Sequence, residues 1–192
     1  WTLVHSMWDS MQIIYDYIEK IDPELLDKSR YIFENTFGWP LIKQLEEVFW
    51  EWYDIQKITN DIYEMQFHVK TEFFLWVPEK IKELAQKYTL FLTTWNSTKV
   101  AIKHLEKWWI KENFSMILWS DILLKGREHI EEFIKYTSDT DFSKKAVYTW
   151  DWEWDKLFAS EYNIDFIRIW KFWKDKYEIN SVVEIDEILE EL

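Results

Sequence analysis

The chain has 192 residues and a formal net charge of -13, from 36 acidic against 23 basic residues. That balance would repel a phosphate backbone or an anionic membrane surface, so neither nucleic acid nor membrane is expected as a partner. The absence of Cys excludes disulfides, thiolate metal sites and a Cys nucleophile, and no apolar run approaches the roughly 20 residues that span a bilayer.

Residues 8 to about 76 read as nearly continuous amphipathic helix. Met11, Ile14, Tyr15 and Ile18 recur at three- and four-residue steps. Asp22-Pro23 starts a second helix, whose apolar face continues through Leu25, Leu26, Ile32 and Phe33. Gly38-Trp39-Pro40 is a break. Leu41, Leu45, Val48, Phe49 and Trp52 form a third stripe, and Ile58, Ile62, Met65, Phe67 and Val69 a fourth. Four such helices predict a small bundle.

The pattern changes after Pro78. A short helix over 79–87 is followed by an apolar, β-prone run over 88–93 and a helix over 97–108. Strands are expected at 115–118, 145–149, 165–169 and 181–184, with helices at 128–136, 153–160 and 186–192. Short apolar strands alternating with helices predict an α/β fold with a parallel sheet covered on both faces.

In such sheets ligands bind beyond the carboxyl ends of the strands. Asp151 and Asp155 follow the strand ending at Thr149, a placement that suits a hard cation such as Mg²⁺. The same pair also reads as a helix cap plus a solvated charge. Thr94 and Asn96 follow the first strand and, with Ser97, either cradle phosphate at a helix N-terminus or simply cap that helix. Lys125 and Arg127 flank Gly126, where a cation neutralises a phosphoryl group or is only a loop charge. His5, His68, His104 and His129 lack ligand spacing and read as surface or packing residues.

The order of these segments resembles the haloacid dehalogenase superfamily, particularly its phosphoglycolate-phosphatase-like branch. Thr2-Leu3-Val4-His5-Ser6 is similar to the segment just after the family's first motif, D-x-D-G-T-L-V-D-S. Leu92-Thr93-Thr94-Trp95-Asn96 resembles the second motif, with Thr94 at the matching position. Gly126-Arg127-Glu128-His129 resembles the third, which gives Arg127 the Lys position with Lys125 as a nearby substitute. Trp150-Asp151-Trp152-Glu153-Trp154-Asp155 is similar to the fourth, G-D-x-x-x-D, with Asp151 a metal ligand and Asp155 a second ligand or its support.

The resemblance implies a Rossmann-like core over 1–8 and 77–192 and an inserted helical cap over 9–76. It also implies Mg²⁺-dependent hydrolysis of a small phosphorylated metabolite through an aspartyl-phosphate. Both aspartates of the first motif would precede Trp1, as would the strand that carries them, which the family places at the sheet's centre. Trp1-Thr2-Leu3-Val4-His5 has no basic leader-like stretch, so a cytoplasmic location is expected.

Composition adds one anomaly. There are 2 Gly and 15 Trp, where an average chain of this length carries roughly 13 Gly. Trp1, Trp95, Trp109, Trp119 and Trp150 stand where the family uses Gly, and Trp152 is a further case. The competing expectation is therefore a catalytically inactive or engineered Trp-rich α/β protein that binds a partner through exposed aromatics. A third is different chemistry on the same fold, such as carbon–halogen hydrolysis or phosphate transfer within a sugar phosphate.

Overall fold

The computed structural model describes the chain except residues 1–2, 6, 37–38, 69–71, 95–97, 121–122, 124, 151–152, 170–176 and 192, and the side chains of 4, 5, 7 and 8. The first third is helical: α1 (Met7–Ile21), α2 (Leu26–Asn35), α3 (Leu41–Val48) and α4 (Ile55–His68). Asp22 caps the 3-10 turn that leads into α2, accepting from the Glu24 amide at 3.1 Å, with Pro23 at the first position of that turn. The Tyr53 hydroxyl donates to the other Asp22 oxygen at 3.0 Å and fastens the α3–α4 loop to the same turn.

The apolar stripes converge on a single cluster holding Ile14, Ile18, Phe33, Leu45, Val48, Ile58 and Ile62. Burying each such side chain stabilises by about 1.5–3 kcal/mol. Four described residues of the expected stripes, Leu26, Trp52, Met65 and Phe67, fall outside this cluster. Trp52 is 77% exposed, because α3 ends at Val48 and the chain turns extended at Phe49. Met65 is 41% exposed, on the outer side of α4. The break expected at Gly38 lies outside the described residues.

The remainder alternates strand and helix. Two-residue strands β1 (Val4–His5) and β2 (Glu72–Phe73) pair antiparallel on either side of the helical segment. Then follow α5 (Val77–Leu84), β3 (Leu90–Thr94), α6 (Thr98–Lys107), β4 (Phe114–Trp119), α7 (Arg127–Thr137), α8 (Phe142–Lys145), β5 (Val147–Trp150), α9 (Glu153–Glu161), β6 (Asp165–Ile169), β7 (Glu178–Ile179) and α10 (Ile185–Leu189). β3 runs parallel to β4, and β5, β6 and β7 run parallel to one another. This is an α/β fold with a Rossmann-like parallel core.

Two details differ from the sequence-based expectation. The strand expected over 181–184 is a 3-10 turn, Val182–Glu184, with Ser181 Oγ accepting from the Val183 amide at 3.4 Å. Val182 supplies core packing there, and the ladder is made earlier, by Glu178–Ile179. The parallel strands also form two sheets among the described residues. Consecutive residues Leu90–Thr93 of β3 and Ala146–Trp150 at β5 face each other across a cavity of about 640 Å³. Strands exchange ladder hydrogen bonds only at about 4.8 Å spacing, so pairing stops at this cleft. The helical segment meets the α/β part where Lys99 and Lys103 of α6 reach Glu64 and the Phe67 carbonyl of α4.

Candidate active site

β3 and β4 end side by side at Thr94 and Trp119, and Lys125, which follows β4, reaches the Trp150 ring at the end of β5. Thr94 is buried, and its carbonyl accepts from Ser120 Oγ at 3.1 Å, which joins the ends of β3 and β4. Lys125 enters from the turn before α7. Its side chain is fully buried, with Nζ 2.7 Å from Asp155 Oδ1 and 3.5 Å from the centroid of the Trp150 ring. Asp155 sits in the first turn of α9, itself buried. The same Oδ1 accepts from the Tyr148 hydroxyl at 3.0 Å. Burial, then the Asp155 charge, push the Tyr148 phenol well above its usual range, so it stays a donor.

A glycine makes this turn possible. Gly126 has φ +109, and a Cβ there would lie 2.6 Å from the Phe158 ring. Both the backbone conformation and the space exclude a side chain. Gly126 therefore allows Lys125 to turn inward while α7 starts immediately after it.

A second polar line runs beneath. Thr93 Oγ1 is 2.6 Å from His129 Nδ1, and His129 Nε2 is 3.0 Å from the Leu123 carbonyl. A carbonyl only accepts, so Nε2 carries the proton and Nδ1 accepts from the Thr93 hydroxyl. Burial, aided by the nearby Lys125 charge, lowers the His129 pKa, which keeps the ring neutral. On the far side of β5, the buried Arg168 of β6 donates to Glu153 at 2.6 Å.

The structure thus brings Thr94, Lys125 and Asp155 to the same end of the parallel layer. Arg127 is placed elsewhere. Its side chain is 60% exposed and forms a two-pronged contact with Glu161, both distances 2.5 Å, on the outer faces of α7 and α9. Asn96 and Asp151 lie outside the described residues. Sequence reasoning missed His129, Tyr148 and Arg168. Nothing in their spacing marks them, although a Lys two residues before a helix start and an Asp in the next helix were both visible.

The donor set bears on a metal. Asp155 Oδ1 already holds an ammonium and a phenol, so this oxygen serves Lys125. Among the described residues no group of three or more His, Asp or Glu could hold a metal ion. Mg²⁺ is usually held by one or two carboxylates together with substrate phosphate, and Asp151, the other expected ligand, lies outside the described residues.

A buried Lys–Asp pair and a buried Thr thus lie at strand ends of an α/β fold whose helical segment is inserted between β1 and β2. The family model for haloacid dehalogenase-like hydrolases matches residues 2–169, and the chain belongs to that family. Solved structures show the same fold. A haloacid dehalogenase-like family hydrolase from Streptococcus pneumoniae superposes with TM-score 0.75 at 18% identity, covering 98% of this chain and 93% of its own. A predicted phosphoglycolate phosphatase from Haemophilus somnus gives 0.72 at 17% identity, covering 97% and 93%. YfnB of Bacillus subtilis, a HAD-type hydrolase solved bound to magnesium, gives 0.71 at 14% identity, covering 98% and 94%. No curated protein matches the chain. Among the described residues no helix is long and apolar enough to cross a membrane.

Proposed function

We propose that this site binds the phosphate of a small phosphorylated metabolite and belongs to a phosphatase that hydrolyses its monoester. The observation that carries the reading is the buried Lys125–Asp155 pair, 2.7 Å apart, at the strand ends that also present Thr94. A buried ammonium is an expensive arrangement unless a charge offsets it. Asp155 offsets it in the resting state and fixes its direction. Thr94 supplies a hydroxyl from the end of β3, and the Asn96 region would add backbone and amide donors. The helical segment 9–76 acts as a cap over this edge and excludes bulk water. Phosphatases and a 2-haloacid dehalogenase both stand among the fold neighbours, so the phosphoryl substrate rests on the buried cation and hydroxyl of the site.

By family resemblance, this chemistry proceeds by attack of an aspartate on the phosphorus. Magnesium dependence enters the reading through Asp151, supported by the magnesium-bound neighbour. Bound there, the ion would screen the phosphoryl charge. A cytoplasmic location is proposed with it.

The test is calorimetric titration with orthophosphate, with and without Mg²⁺, followed by phosphate release from a panel of small monoesters. Binding that Mg²⁺ strengthens, and that Asp151→Asn abolishes along with any turnover, is the expected result. Full retention in Asp151→Asn would remove that residue from the site. Phosphate binding without turnover would favour the inactive scaffold, a reading to which the exposed Trp52, Trp76 and Trp109 lend an aromatic surface.

A further inference from the structure

We infer that His129 is a positioning residue that couples the end of β3 to the Leu123–Lys125 turn, fixing the Thr94 hydroxyl and the Lys125 ammonium relative to each other. The inference concerns the proposed phosphate site and rests on that reading for its ligand. His129 lies in the first turn of α7 with its side chain turned inward, 1% exposed. A buried imidazole is destabilising unless both ring nitrogens are satisfied. Here they are satisfied by two different segments. Nδ1 takes the hydroxyl of Thr93, the residue before Thr94, and Nε2 gives its proton to the carbonyl of Leu123, two residues before Lys125.

Among the described residues no backbone ladder joins these segments directly: β3 pairs with β4, and Leu123, Lys125 and Gly126 precede α7. The imidazole is therefore a strut between the strand that carries Thr94 and the turn that carries Lys125. Tyr148 does the corresponding work on the opposite side. It orients Asp155 against Lys125. The strut binds no phosphate itself, since both of its nitrogens are engaged within the protein.

Two substitutions dissect it. A Gln side chain places its amide nitrogen near the His Nε2 position, so His129→Gln keeps the bond to Leu123. An Asn side chain reaches only as far as Nδ1, so His129→Asn keeps the contact to Thr93 and loses the turn. The dissociation constant of orthophosphate is expected to rise on the order of tenfold in His129→Ala, as for other residues that orient ligands from behind. Each variant keeps one end of the strut only, so neither His129→Gln nor His129→Asn should restore more than a part of that loss, and full restoration by either would show that one contact suffices. The control is His104→Gln, at a second buried histidine, on α6. It should lower the melting temperature and leave the phosphate constant unchanged.

Equal phosphate affinity in His129→Ala and the unmodified chain would overturn the inference. If the unmodified chain binds no phosphate, the functional reading fails separately, and the coupling is then read by NMR. The ammonium resonance of Lys125 should shift in Thr93→Val and in His129→Ala, while the His129 ring of the unmodified chain shows a proton on Nε2. An unmoved Lys125 signal in both variants would show that His129 only packs.

Discussion

The helical segment and the α/β part bury different kinds of side chain. In α1–α4 the buried polar residues are Ser29, Gln44 and Thr59, and each is satisfied close by: Ser29 by the Leu26 carbonyl, Gln44 by Thr36 and Thr59 by the Ile55 carbonyl. The α/β part buries Thr93, Thr94, His104, Lys125, His129, Asp155 and Arg168. Five of those seven sit in side-chain hydrogen bonds or ion pairs that cross between elements: Thr93 with His129, Lys125 with Asp155, and Arg168 with Glu153. Apolar burial alone holds a helix bundle together. A fold that also buries ionisable groups accepts a desolvation cost, and it repeatedly does so where chemistry is done. The first region is held by apolar packing, and the second adds buried ionisable pairs to it.

The sharpest way to break that division is a pair of variants of similar cost. Lys125→Met strands Asp155 as a buried charge and should lower the unfolding free energy by about 3–5 kcal/mol. Leu45→Ala, at a fully buried position of the helical cluster, should lower it by about 2–5 kcal/mol. Urea denaturation measures both, and only Lys125→Met should also abolish orthophosphate binding. Equal loss of binding in the two would mean that the helical segment carries ligand contacts. In Lys125→Met, further replacement of Asp155 by Leu should recover much of the stability and none of the binding.

Gly126→Ala comes next. Strain at a positive φ costs about 1–3 kcal/mol, and the new methyl must also displace Phe158. Stability should fall by about that amount or somewhat more in chemical denaturation, and phosphate binding should weaken because Lys125 is re-aimed. A change below about 0.5 kcal/mol would mean that the turn is not held by this residue.

The acid limb separates the regions without mutation. Burial, reinforced by Lys103 and Lys107, depresses the His104 pKa to about 4. The unfolded chain binds this proton from about pH 6.5 downward, whereas the folded chain refuses it until about pH 4. The stabilisation is complete above about 6.5 and is lost as the pH falls towards 4. His129 acts in the same direction. Melting temperatures measured between pH 7 and 4 should fall, and His104→Gln should flatten part of the slope. An unchanged slope would remove His104 from the account.

The smallest effect concerns tryptophan. Trp76 and Trp109 hold left-handed backbone, with φ 66 and 53, and are 62% and 81% exposed. A side chain in that region costs about 1–2 kcal/mol, so these are glycine positions occupied by Trp. Trp76→Gly and Trp109→Gly should each raise stability by about 1 kcal/mol, partly offset by the greater chain entropy of Gly. Thermal melts of the single and double variants would show it, and destabilisation in both would mean that the exposed rings are packed to some purpose.

Much of the architecture was legible from local pattern. The three- and four-residue apolar spacing gave four helices before residue 70, and the strand at Asp165–Ile169 has the limits that alternation suggested. The errors came where local pattern and tertiary role part. Val182-Val183 is β-branched, yet one face of it packs into a core and the chain there turns rather than pairs. The four residues of α8 are too few to show a period.

What the sequence determined by itself is the class of fold, the family, and the strand ends where chemistry would sit, because periodicity and short motifs are local properties. What the tertiary structure decided is which charge faces inward. Lys125 and Arg127 flank one glycine and are indistinguishable by spacing. The φ of Gly126 turns the first toward Asp155, and the start of α7 turns the second outward to Glu161. Likewise His104 and His129 look alike in the sequence, and only the approach of Thr93 and Leu123 from separate segments makes one of them a strut. Such assignments depend on contacts between residues far apart in the chain, and no local pattern encodes them.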